Sequence, residues 1–581
     1  MKISKLWIVF LGMISLGFSL NSEKFSDALQ QRVNKINGGE NLAVWVFFKD
    51  KGGDLNDKMA IAEQNLLPKA RERRIRHFNS ESGLVDFHDL PVSRIYREKL
   101  RELSQKIRQK SRWLNAVSVE VTQDNLQKIS TLPFVLQLDL VFIQDEPISV
   151  IESSASMTPD LTENIQNLNY GESLEQNQQI NVIPLHNMGY DGSGVLIAML
   201  DAGFNNLEHQ ALKHLNILAT WDFVNGDSIV WDEPGQMGTG NHGTWTLSTL
   251  AGYKDGFLIG PAYGADFLLA KTENTDWERH VEEDAWIAGA EWADSLGADI
   301  ISSSLGYLNG FTNGDTNYTW QDMDGNTTIV TRGADMAASR GILVVNSAGN
   351  EGSPFLPVEN TLIAPADGDS VLAIGSVRND GIRSSFSSMG PTVDGRIKPD
   401  VMARGSQTFC ASVFDTISYS RLNGTSLSCP LVAGAAALVL QANPNFTNMD
   451  IIHALRNTAS QANNPNNQYG WGIIDAFQAA SPITAVTMSK PEFIGTLRLH
   501  GNYPNPFNPT TTITFDVPHA GYLKLSVYNI VGEQVAELIQ GWSESGTYTV
   551  SWNASQLSSG MYLIVLENAQ NRLVRKALLA K

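Results

Sequence analysis

Residues 195–204 read VLIAMLDAGF, apolar at every position until the run meets an acid and a glycine. A strand with one wet face alternates; this run does not, so it is expected to be buried on both faces, as in a parallel sheet covered by helices. Four further runs share the texture: DFLLAK (266–271), ADIISSSLG (298–306), ILVVNSAGN (342–350) and VLAIGSV (371–377). Between them VEEDAWIAGAEWADSLG (281–297) has helical spacing. Strands alternating with helices indicate an α/β fold.

In such sheets ligand sites gather at the carboxyl ends of strands. Asp201 ends the first run and Asn350 the fourth. His242 stands in GNHGTWTLSTLAG (240–252), with glycines close on both sides that let other backbone approach. The other nine histidines lie in less constrained contexts, and most are expected at the surface. Ser426 opens NGTSLSCP (423–430) ahead of the small-residue run LVAGAAALVL, read as a buried helix. Taken singly, an acid after a strand is a helix cap, an Asn after Gly a turn and a Ser before a helix an N-cap. Together they supply a nucleophile at a helix N-terminus, a base, a carboxylate to orient the base, and an amide that can donate to an oxyanion beside the Ser426 N–H.

The order Asp, His, Asn, Ser, with the motifs around it, resembles the subtilisin-like serine proteases, or subtilases. The match runs through residues 170–480, in YGESLEQNQQINVIPLHNMGYDGSGVLIAMLDAGF, NHGTW, ADIISSSLGY, NSAGNEG, SSFSSMGP, IKPDVMARG, NGTSLSCP and YGWGIIDAFQA. The resemblance implies that Asp201 orients His242, that His242 acts as general base and then acid, that Ser426 attacks the carbonyl, and that Asn350 supports the oxyanion. It further implies that Ser304, Leu305 and Gly306 pair with substrate backbone and that Ala348 and Gly349 line the primary specificity pocket. Three positions depart from the family pattern. Ala202 stands where Thr or Ser usually follows the acid. Arg404 replaces a proline and is expected at the surface. Ala211 occupies a place where some relatives offer calcium a carboxylate. No cofactor is expected for the chemistry; structural calcium stays possible without an assignable site, and no metal ligands are assigned.

At 581 residues the chain exceeds one core, so several modules are expected. Lys2 and Lys5 precede LWIVFLGMISLGFSL, and Gly17 and Ser19 suit a signal-peptidase site; the run falls short of the ~20 apolar residues of a bilayer span, so 1–19 read as a signal peptide rather than an anchor. No later segment is expected to be long and apolar enough to span. Residues 20–145 form a small α+β module with strands at NLAVWVFF (41–48), NAVSVEVT and VLQLDLVFI, a helix at QDNLQKISTLP and a basic helix-prone insertion, LPKARERRIRHF. Residues 41–145 resemble the subtilase prosegment, which implies an intramolecular inhibitor. Residues 146–169 and 481–499 read as linkers. From YPNPFNP (503–509) onward, short strands separated by turns indicate an antiparallel β-sandwich over 500–581. This part resembles the C-terminal sorting domain of type IX secretion, which implies secretion or cell-surface attachment in a bacterium with an outer membrane, and the secretion machinery as a partner.

Net charge is −19, yet residues 23–144 hold about 20 Lys+Arg against about 16 Asp+Glu. The acidic remainder would repel a polyanion, which argues against nucleic acid as a partner. Cys410 and Cys429 could pair in an oxidising compartment or stay as buried thiols. The reading is a secreted serine endopeptidase made as a proenzyme, expected as a monomer acting on proteins or peptides; the alternative is a catalytically silent homologue used for binding or adhesion.

Overall fold

The computed structural model describes residues 22–35, 41–141, 168–276, 280–308, 317–353, 359–481 and, with short breaks, 486–580. The expected signal peptide, most of 146–169 and most of 481–499 lie outside the described residues.

The chain divides into two units, Met1–Leu55 with Leu90–Phe142, and Asn56–Asp89 with Ile143–Lys581. In the first, four antiparallel strands, β1 (Asn41–Phe48), β2 (Lys106–Ser111), β3 (Ala116–Thr122) and β4 (Val135–Val141), take the order β2-β3-β1-β4. Helices Asp27–Val33, Arg94–Leu103 and Gln123–Ser130 contribute Leu29, Leu100, Leu126 and Ile129 to a core closed on Val44, Val46, Val117 and Val119. The division has a consequence for the reading of 20–145 as one module: Asn56–Asp89 belongs to the other unit.

In the second unit β5 (Leu196–Asp201), β6 (Asn216–Asp222), β9 (Asp266–Lys271), β10 (Ile300–Ser303), β11 (Leu343–Ser347), β12 (Val371–Val377) and β13 (Val401–Arg404) form a seven-stranded sheet, β13-β12-β11-β10-β5-β9-β6, parallel throughout. The pairs β7 (Tyr253–Lys254) with β8 (Leu258–Ile259) and β14 (Thr408–Ala411) with β15 (Tyr419–Leu422) are short hairpins. Side chains alternate across the sheet with period two. Ile197, Met199, Ile300, Val345 and Ile374 meet Leu247, Leu250, Leu431, Leu438 and Ile452 from helices Asn241–Ala251, Thr425–Ala442 and Asn448–Asn457. On the opposite face helix Val281–Leu296 brings Trp286, whose Nε1 donates to Ser303 Oγ at 2.9 Å.

Helix Thr425–Ala442 is buried nearly all round, and its small residues let the sheet and neighbouring helices close on it. A Cβ at Gly434 would lie 2.9 Å from Pro261 Cβ. The helix is long and apolar enough to cross a membrane, which corrects the expectation that no later segment is; it spends that apolar surface inside the protein, with 89% of it buried.

Arg404 is a second correction. It is 5% exposed on β13, with Nη1 donating to Glu175 Oε2 at 2.7 Å, so the position where a proline is usual carries a buried guanidinium held by a carboxylate 229 positions away. Cys410 and Cys429 are both free and buried, and burial pushes the Cys429 thiol up to about 12.

The C-terminal part is a sandwich of two antiparallel sheets, β16 (Val486–Ser489), β21 (Gly546–Asn553), β18 (Thr510–Val517) and β17 (Arg498–Tyr503) against β20 (Gln534–Ser543), β19 (Gly521–Asn529), β22 (Gly560–Asn568) and β23 (Arg572–Leu579). Ile513, Phe515, Val550 and Trp552 of one sheet share a core with Leu525, Val527, Ile564 and Leu566 of the other. β16 lies inside the stretch read as a linker; its four residues pair with β21, a long-range contact that no local pattern announces.

Candidate active site

Asp201 ends β5 and is fully buried. A buried carboxylate needs donors, and three supply them: His242 Nδ1 at 2.6 Å and the Ala202 N–H at 2.8 Å on Oδ1, and Thr246 Oγ1 at 2.9 Å on Oδ2. Thr246 was not singled out from the sequence. It follows His242 by four residues, which puts both side chains on one face of helix Asn241–Ala251. The hydroxyl missing at Ala202 is thus supplied from the helix that carries the imidazole.

The glycines around His242 are needed for contact, not only for turning. A Cβ at Gly243 would sit 2.2 Å from the Gly203 carbonyl oxygen, and one at Gly240 would sit 3.0 Å from the Gly203 carbonyl carbon. The turn after the acid and the turn before the helix therefore touch backbone to backbone. The His242 side chain keeps 30% exposure, so one edge of the ring stays open. Burial works against a charge there, but the Asp201 carboxylate and its hydrogen bond outweigh it and raise the imidazole pKa above 6.5.

Ser426 lies in the first turn of helix Thr425–Ala442, after Gly424 at φ 152° and ψ 149°, a conformation that glycine adopts readily. Its N–H has no helical carbonyl four residues back to bond, so it is free to face a ligand. Pro430 sits four residues on and has no N–H for the Ser426 carbonyl. Ser304 fills that gap: its Oγ donates to the Ser426 carbonyl at 2.9 Å, and the Ser426 hydroxyl donates back to the Ser304 carbonyl at 3.3 Å. The hydroxyl thus rests on Ser304 rather than on His242. Trp245 and Leu427, three residues after His242 and one after Ser426, pack in one cluster with Cys410, which sets the first turns of the two helices side by side.

Asn350 follows β11 and is exposed. The Thr425 N–H and Oγ1 donate to its Oδ1 at 2.9 and 3.0 Å, which fixes the orientation of the amide and leaves its NH₂ as the outward donor. Of the expected substrate-contacting residues, Ser304 is engaged as described, and the Leu305 carbonyl accepts from Asn346 Nδ2 at 2.9 Å. A Cβ on Gly306 would meet Ile363 Cδ1 at 2.2 Å. Ala348 donates to the Ile374 carbonyl, and Gly349, at φ 111°, accepts from the Ser388 N–H at 3.0 Å. All five follow the carboxyl ends of β10 and β11. Ala211 is fully buried against Leu258, Phe409 and Ala411, so that position offers a methyl group and no oxygen to a cation.

Three of the nine other histidines, His186, His209 and His280, are buried. Burial pushes His186 and His209 below the ordinary imidazole range, and each rings a carbonyl, Pro261 at 2.7 Å and Ser418 at 2.8 Å.

The Asp201–His242 pair stands at the carboxyl edge of the parallel sheet, and the helix that carries His242 packs against the helix that carries Ser426. The subtilase family profile matches residues 192–472, the Bacteroidota peptidase S8 propeptide domain residues 43–180, and the secretion system C-terminal sorting domain residues 502–580. Subtilisin NAT of Bacillus subtilis subsp. natto is 30% identical over 389 residues, 66% of this chain and 85% of that protein. Subtilisin DY of Bacillus licheniformis is 32% identical over 293 residues, 50% of this chain and 93% of that protein. Among solved structures, the epidermin leader peptide processing serine protease of Staphylococcus aureus matches with TM-score 0.49 and 17% identity, over 76% of this chain and 99% of that one. The chain belongs to the subtilase family: it is a subtilisin-like serine endopeptidase with a propeptide and a C-terminal sorting domain that indicates export.

Proposed function

We propose that the protein is a secreted or surface-attached endopeptidase, made as a proenzyme, that cleaves peptide bonds through an acyl-enzyme on Ser426. The observation that carries this reading is the Asp201–His242 bond of 2.6 Å beside the helix that presents Ser426. In the reaction the Ser426 hydroxyl turns from Ser304 toward His242, which takes its proton as oxygen attacks the substrate carbonyl. The imidazolium, facing Asp201, then hands that proton to the leaving amine. Water repeats the sequence on the acyl-enzyme. The oxyanion is met by the Asn350 amide and the Ser426 N–H, at a helix N-terminus that favours negative charge. Extended substrate lies along Ser304, Leu305 and Gly306, with its primary side chain against Ala348 and Gly349. The prosegment serves as an intramolecular inhibitor, the sorting domain engages the secretion machinery, and the enzyme works as a monomer with no nucleic-acid partner and no cofactor in the chemistry.

Replacing Asn350 by Leu keeps the bulk and removes the donor. Expected is a fall of about 10²–10³ in kcat with KM nearly unchanged, because the donor acts on charge that exists only in the transition state. Steady-state hydrolysis of a chromogenic peptide measures it; an unchanged kcat would remove Asn350 from the oxyanion site.

A further inference from the structure

The chain leaves the first unit at Leu55 and rejoins it at Leu90, and what lies between is part of the peptidase unit. Its helix Pro68–Phe78 carries five basic residues and one acid. Two arginines are buried in it. Arg73, fully buried, donates from Nη2 to Asp294 Oδ1, from Nη1 to the Ala298 carbonyl at 2.5 Å and from Nε to the Arg340 carbonyl at 3.0 Å. Arg74 joins Asp294 Oδ2 at 2.9 Å, Asp89 Oδ1 at 2.8 Å and the Leu84 carbonyl at 2.8 Å. Lys69 and Arg76 flank them on the two oxygens of Asp299, at 3.2 and 2.9 Å. Arg340 of the peptidase reaches back to Asp86 at 2.8 Å.

The receiving surface is shaped as well as charged. Gly297 and Gly341 end helical segments at φ 91° and 83°, and a Cβ on them would lie 2.6 Å from Lys69 Cβ and 2.7 Å from His77 Cβ. Ala298, Asp299 and Arg340 stand just before β10 and β11, at the amino edge of the sheet. The candidate catalytic residues stand at the carboxyl edge, a strand length of roughly 15–20 Å away.

We propose that Asp294, Asp299, Gly297 and Gly341 form a docking site, separate from the catalytic cleft, for an arginine-bearing helix, and that residues 68–89 occupy it to hold the prosegment on the enzyme after the connecting chain is cut. The Arg73 guanidinium, buried with each of its nitrogens engaged, is stable while its carboxylate is present, and breaking such a buried pair is costly. The site therefore sets how long the excised prosegment stays, independently of how tightly the cleft itself is blocked.

The proposal rests on reading residues 41–145 as the prosegment, and the test makes its own cut so that it does not depend on the chain's catalysis. A full chain carrying Ser426→Ala and a site-specific protease sequence inserted between residues 146 and 167 is cleaved by the added protease, and fragment release is followed by gel filtration. Release from an Arg73→Ala/Arg74→Ala chain is expected to be about 10²-fold faster. The milder Lys69→Ala/Arg76→Ala pair, at partly exposed positions, is expected to accelerate release several-fold, roughly as loss of surface pairs does, and serves if the first variant does not fold. Equal release rates from the unmodified contact and from the folded variants would overturn the docking site. Absence of peptidase activity in the wild type would overturn the proposed function and leave this result standing.

Discussion

Ser426→Ala is expected to lower kcat by about 10⁶ while the protein stays folded, because in subtilisins loss of the serine alone costs nearly as much as loss of the whole set. The variant removes one oxygen that is half-buried and, among the described residues, bonded to the Ser304 carbonyl at 3.3 Å, so little stability goes with it. The helix is held instead by the Ser304 bond to the Ser426 carbonyl, which alanine keeps. Thermal unfolding within a degree or two of wild type, together with hydrolysis reduced to the background of substrate binding and oxyanion donors, separates a lost nucleophile from a damaged fold. Substantial hydrolysis by the variant would mean that another group attacks.

Asp201→Asn is expected to cost about 10⁴ in kcat, since an amide in place of the carboxylate favours the wrong imidazole tautomer and no longer stabilises the imidazolium. It also moves the pH profile. His242 must be neutral to accept a proton, so kcat/KM falls as pH drops through the imidazole pKa. In the wild type that pKa is raised from the ordinary imidazole value, because the Asp201 charge and hydrogen bond outweigh burial; the acid limb should accordingly lie at higher pH than a free imidazole would give. With asparagine at 201 the burial remains and the compensating charge is gone, so the limb of the residual activity moves below that of the wild type. A limb that stays in place would detach His242 from the rate.

Five of the seven strands of the parallel sheet were legible because they are buried and read as apolar runs, and LIAMLD becomes β5 with all six residues inside, whereas β6 is largely exposed and gave no such run. The glycines about His242 were legible for the reason the structure displays, a backbone contact that no side chain would fit. What stayed hidden depends on partners far along the chain. Arg404 looks like any surface arginine until Glu175 is set against it. The basic run at 68–78 reads as a helix-prone insertion with no partner named until Asp294 and Asp299 meet it. Thr246 alone left a trace, its spacing of four from His242, but helix spacing does not say which of several hydroxyls will face a carboxylate.

The central claim is that Ser426 is a nucleophile activated by His242. Treating the processed protein with an active-site-directed fluorophosphonate and mapping the adduct by mass spectrometry tests it most directly. The expected result is a single adduct on Ser426 that disappears in His242→Ala; an adduct on a different residue, or full peptidase activity after Ser426 has been labelled, would contradict it.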